Sequence, residues 1–190
     1  MLPSDLQGLT IFPARLIVAE AQRLPDQPGV YLFFVRGGRR LLTATSYFDL
    51  ECRRPLSFRR REHLYTGAAR FSLRDRIQTN LRADVTSSSF TRSLLAIERA
   101  RRAISKSCTP GCRRVRGEQS LAAWLRINAV IGFETTRDPY GRERELLSRL
   151  ASPLNIVHRR DHPYAQALSA WRCAAFPADV PERARRVRYR

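Results

Sequence analysis

Lysine is nearly missing from this chain of 190 residues: Lys106 is the only one, and the other 34 of its 35 basic side chains are arginine. Acidic residues are also few, 17 against those 35, which leaves a formal net charge of +18 and a pI near 11.4. Such a surplus disfavours cationic partners and favours polyanions, nucleic acid foremost. Arginine's planar fork suits phosphate, although a GC-rich genome produces the same bias without selection for binding. A long apolar run is also lacking, which excludes a membrane-spanning helix. The most apolar stretch near the start, Leu9 to Ala21, is interrupted by Pro13, Arg15 and Glu20. It follows Asp5 rather than a basic segment, so it does not read as a signal peptide, and the expected location is cytoplasmic. The four cysteines (Cys52, Cys108, Cys112 and Cys173) are too sparse for a disulfide framework. Cys108-Thr-Pro-Gly-Cys112 with His158 and His162 offers four zinc ligands, but Pro-Gly between the cysteines reads equally well as a turn.

There is no internal repeat, and 190 residues with 43% hydrophobic content suffice for one folded domain. Residues 1–27 read as an N-terminal extension ending in the turn-like Pro25-Asp26-Gln27-Pro28. Gly29 to Val35 is strand-like in its β-branched and aromatic content, Gly37-Gly38 signals a hairpin, and Leu41 to Thr45 is the expected return strand. Residues 46–61 read as an exposed basic loop, followed by a strand around His63 to Thr66 that ends at Gly67. Leu73, Ile77 and Leu81 share one face of a helix from Ser72 to about Leu81, with Ser72 and Asp75 spaced as a capping box. That face turns Arg74 and Arg76 away from the core. A second helix is expected over Ser89 to Ile104. At its start, Ser87-Ser88-Ser89 is either a plain cap or a phosphate seat, with Ser88, Ser89 and Arg92 as candidate nucleic-acid contacts. A helix near Leu121 to Arg126, a strand over Ala129 to Thr135 and a last helix from about Arg142 to Leu150 follow. The arginine-rich segment 177–190 reads as a basic tail.

The chemistry lies in an ordered set. Gly29-Val30-Tyr31 and Tyr65-Thr66-Gly67 close two strand-like runs. Leu73-Arg74-Asp75-Arg76-Ile77 then opens a helix, and an acidic helix later runs into Pro153-Leu154-Asn155. Together these residues resemble the GIY-YIG endonucleases, over roughly Pro28 to Arg172 and closest to a bacterial subset. The resemblance implies an α/β (α+β) fold with a small, mainly antiparallel sheet flanked by helices, in a nuclease domain over residues 28–176. It also implies a DNA phosphodiesterase that uses Mg²⁺ or Mn²⁺. In line with the family pattern, Tyr31 would act as base, Arg76 would stabilise the phosphate, and Tyr65 and Asn155 would orient phosphate and water. Arg74 is the fallback for the arginine and a further candidate for nucleic-acid contact. Glu143 would hold the metal, with Glu145 as the alternative; residues two apart on a helix point to different sides, so only one can face the site.

Two departures from the family pattern stand out. Tyr65 lies 34 positions after Tyr31, far more than a minimal hairpin needs. The histidine that several members carry one turn after the arginine is Asn80 here. The alternative expectation is a basic nucleic-acid-binding protein that kept the fold without cleavage, for which an isolated metal carboxylate would have no use. Neither oligomeric state nor target site is legible.

Overall fold

The computed structural model describes residues 8–37, 57–58, 60–104, 118–150, 152–155 and 163–176. Among them, five strands form one antiparallel sheet in the order β1-β5-β2-β4-β3. They are β1 (Thr10–Pro13), β2 (Gly29–Arg36), β3 (Ser57–Phe58), β4 (Arg61–Ala69) and β5 (Ala129–Thr135). The helices are α1 (Ala14–Ala19), α2 (Leu73–Leu81), α3 (Ser89–Ile104), α4 (Glu118–Asn128), α5 (Pro139–Arg149) and α6 (Pro163–Ala175).

β2 lies at the centre and is apolar on both faces, as a strand covered on each side must be. Tyr31, Phe33 and Val35 face the larger core, built with Ile17 of α1, Leu73 and Ile77 of α2, Phe90 and Leu94 of α3, Leu121 and Leu125 of α4, and Leu168 of α6. Val30, Leu32 and Phe34 face a smaller one with Leu146 of α5 and Leu150 just beyond its end. A bulge interrupts the β2–β4 ladder between Phe33 and Phe34, opposite Tyr65 and His63. It carries His63 and Thr66, an odd number of residues apart, to the same side of the sheet, where their side chains hydrogen-bond at 3.0 Å.

Several elements depart from expectation. β4 runs through Gly67 to Ala69, because its pairing with β2 continues to Gly29 opposite Ala69. Part of the expected basic loop forms β3, which pairs with Arg61 and Glu62. The pattern places the last helix before Pro153, yet α6 follows and packs Tyr164 and Leu168 into the core. Within the expected extension, β1 pairs with β5 along its whole length, and Ala14, Ile17 and Leu24 are fully buried. The expected strand at Leu41 to Thr45, the possible zinc ligands Cys108, Cys112, His158 and His162, and the basic tail lie outside the described residues.

Candidate active site

At the end of the sheet where β2 begins and β4 ends, both motif glycines are dictated by close packing. A Cβ on Gly67 would lie 2.4 Å from the Cζ and Oη atoms of Tyr31 and 2.8 Å from Cε1 of Tyr65. A Cβ on Gly29 would lie 2.3 Å from the Glu134 carbonyl oxygen and 2.6 Å from Leu73 Cδ1. Gly67 therefore makes room for the two tyrosine rings, whose centroids are 6.2 Å apart, and Gly29 lets α2 settle against the sheet.

α2 starts where it does because Ser72 Oγ accepts the Asp75 backbone N–H at 3.1 Å, and the backbone N–H of Leu73 donates to Gln27 at 2.9 Å. One turn in, Arg76 reaches back to the sheet. Its Nε donates to Tyr31 Oη at 3.3 Å and its Nη1 to the Ser87 carbonyl at 2.8 Å. Burial works against its charge, but the phenol oxygens of Tyr31 and Tyr65 outweigh that and hold the guanidinium firmly protonated. Arg74, by contrast, turns away: its Nε donates to the Leu24 carbonyl at 3.1 Å, and its Nη1 lies 3.7 Å from Asp26 Oδ2.

Tyr65 packs against Phe90, and its Oη sits 3.2 Å from Ser89 Oγ. Burial, reinforced by Tyr31, raises its pKa well beyond the ordinary phenol value. It is neutral at physiological pH and keeps a proton to donate. Ser88 is not an exposed anion contact but a buried N-cap: its hydroxyl accepts the Thr91 N–H at 3.1 Å and donates to Asn80 Oδ1. Asn80 is fully buried at this junction of α2 and α3. Arg92 uses Nε and Nη2 on the carbonyls of Val85 and Thr86, which ties down the loop that carries Ser87.

The two glutamates are sorted by their neighbours. Glu145 bonds Arg142 at 2.8 Å and Arg149 at 3.3 Å, and those hydrogen bonds and charges hold its carboxyl below the usual range. Glu143 is half-buried and has no ion pair among the described residues. Burial pushes its carboxyl up to about 7, with Arg76 pulling the other way. An open pocket of about 550 Å³ unites Tyr65, Arg76 and Glu143 with Arg70, Phe71, Asp75, Thr79 and Tyr140. A desolvated carboxylate short of positive charge suits a divalent cation that keeps most of its waters, so Glu143 is the residue that fits the expected metal. No group of three or more His, Cys, Asp or Glu gathers among the described residues.

Asn155 does not line this pocket. Its Oδ1 accepts the Thr66 N–H at 3.0 Å and its Nδ2 donates to the Thr66 carbonyl at 2.7 Å, while the Leu154 N–H donates to the Leu64 carbonyl at 3.0 Å. Residues 154 and 155 thus satisfy the edge of β4 beyond the short β3. Four of the expected residues (Tyr31, Tyr65, Arg76 and Glu143) come together from β2, β4, α2 and α5, and Asn155 supports them from behind. Arg70, Phe71 and Tyr140 were not among the sequence candidates, since an isolated aromatic or arginine in the chain carries no sign of whether it is exposed beside a pocket.

The family described as the GIY-YIG catalytic domain matches residues 29–174. No curated protein and no solved structure matches the chain. None of the described helices is long and apolar enough to cross a membrane.

Proposed function

The chain belongs to the GIY-YIG endonuclease superfamily, and from that premise we propose that it is a metal-dependent endonuclease that hydrolyses DNA phosphodiester bonds at this single pocket. The observation that carries the proposal is the convergence of Tyr65, Arg76 and the desolvated carboxylate of Glu143 at one opening, with the buried Tyr31 hydrogen-bonded to Arg76 behind it.

Arg76 is anchored through Nε and Nη1, so its charge is held in place before substrate arrives and needs no reorganisation as negative charge grows on the phosphate. Tyr65, neutral and fixed by Ser89, offers its O–H to a non-bridging phosphate oxygen. As the phenolate, beside Arg76, Tyr31 takes the proton of the attacking water and becomes the neutral phenol, or as the phenol it orients the hydroxide that replaces that water. Glu143 would hold Mg²⁺ or Mn²⁺, which would supply positive charge to the phosphate. Asn155 acts on the strand that carries Tyr65 and Gly67 and makes no direct contribution to the pocket.

The test is nicking of supercoiled plasmid with Mg²⁺ or Mn²⁺. Wild-type protein is expected to nick only with metal, and Arg76→Ala and Glu143→Ala each to lose about 10² or more in rate. Glu145→Ala is expected to retain activity. Tight binding without cleavage of plasmid, branched or single-stranded DNA would overturn the proposal.

A further inference from the structure

The pocket wall carries an aromatic feature that hydrolysis does not use. Phe71 is 76% exposed, whereas the other described phenylalanines are buried or half-buried. Among the described residues the exposed large hydrophobics are Val18, Phe71, Ile127 and Tyr140, and two of these, Phe71 and Tyr140, line the pocket that holds Arg76 and Glu143. The guanidinium carbon of Arg70, the preceding residue, lies 5.2 Å from the Phe71 ring centroid. The ring is therefore supported by a cation while most of its surface faces solvent.

Its position is not the slack of a loose loop. Ala69 ends β4 in register with Gly29, and Ser72 caps α2. The backbone N–H groups of Leu73 and Arg74 donate to the carbonyls of Gln27 and Pro25. The segment is pinned within two residues on either side, so the aromatic ring is presented at the pocket by a fixed turn. Phosphate recognition alone has no need of a phenyl ring there; Arg70 and Arg76 already supply the cations. What an exposed ring beside an arginine recognises, in a chain of net charge +18, is the face of a nucleobase.

We propose that Phe71, backed by Arg70, is a stacking platform for a nucleobase next to the scissile phosphate, and that it directs the enzyme to nucleic acid with an unpaired nucleotide at that position. In a continuous duplex both faces of each base are covered by its neighbours. A platform therefore gains only where a bulge, flap, junction or single strand leaves a face open. The location of the scissile phosphate rests on the nuclease reading above; the stacking itself does not.

The experiment uses the full chain and two labelled oligonucleotides, a short continuous duplex and the same duplex with one unpaired 2-aminopurine. Affinities are measured first in EDTA by fluorescence anisotropy. Wild type is expected to bind the bulged form about tenfold more tightly and to quench 2-aminopurine. In Phe71→Ala the affinity ratio is expected to fall to near one and the quenching to disappear, with both restored in Phe71→Trp. Because the ring is exposed, folding is not at stake in these variants. Equal affinity of wild type for the two forms, or a ratio unchanged in Phe71→Ala, overturns the platform. Adding Mg²⁺ separates the two readings. A Phe71-dependent ratio with no cleavage of any substrate keeps the platform and rejects the nuclease. Cleavage of both forms at equal rates, unaffected by Phe71→Ala, keeps the nuclease and rejects the platform.

Discussion

Glu143 carries a stability cost that its proposed role would explain. Its carboxyl titrates at about 7 in the folded protein, against an ordinary value of 4.5. Between those pH values the unfolded chain is ionised while the folded chain keeps the proton. Stability therefore falls as pH rises from 4.5 to 7, and the full cost is present above 7. Glu143→Gln removes that titration and is expected to stabilise the fold at pH 8 by on the order of 1 kcal/mol after solvent screening, and so raise its melting temperature, with no gain near pH 4. Thermal melts of both proteins across this range check it. In activity the sign reverses: in the proposed role only the ionised form would hold the metal, so nicking is expected to fall as pH drops below about 7. Raising Mg²⁺ should move the midpoint to lower pH, because metal and proton compete for the same oxygens. A midpoint indifferent to Mg²⁺ would assign the titration elsewhere. The choice between Glu143 and Glu145 was partly visible in the sequence: Glu145 has Arg142 and Arg149 at helical spacing, whereas Glu143 has Tyr140 and Leu147. The raised carboxyl of Glu143 was not visible, because it depends on burial between segments far apart in the chain.

Individual elements are governed by edges and caps. β3 covers β4 only at Arg61 and Glu62, which leaves the edge of β4 near Thr66 to be satisfied by the Asn155 amide. Asn155→Ala removes both bonds and leaves buried backbone groups unpaired, at about 2–3 kcal/mol in total. The expected outcome is a lower melting temperature together with slower nicking, as Tyr65 loses its fixed backbone. Asn155→Asp, which sets a carboxylate oxygen against the Thr66 carbonyl in place of the amide donor, is expected to be at least as destabilising as Ala, and melts run beside plasmid assays measure both effects. If Asn155→Ala lost activity at unchanged stability, a direct substrate role would replace this structural one. The α2 cap at Ser72 and the α3 start at Ser89 were readable, because capping is a local property of four residues. The engagement of Ser88 with Asn80 was not readable, since it joins two helices.

At the scale of the whole molecule, the segment before β2 belongs to the same core as the pocket. β1 shields the outer edge of β5, and Ile17 and Leu24 pack into the cluster that contains Tyr31 and Leu73. Deleting residues 1–20 is expected to expose that edge and abolish cooperative thermal unfolding, which a circular-dichroism melt of the truncated chain would reveal. A sharp transition near that of the full chain would show the segment to be dispensable. The sequence by itself determined what short-range chemistry can encode: the polyanion-seeking charge, the β-branched and aromatic runs of β2 and β5, the apolar stripe of α2, and the ordered tyrosines, arginine and glutamate. Only the tertiary structure decided that Arg76 rather than Arg74 meets Tyr31, that Asn155 braces a strand, and that Phe71 stands exposed beside the pocket. The physical reason is that burial, edge pairing and desolvation are set by what lies across the fold, and the residues that settle them here are separated by tens of positions along the chain.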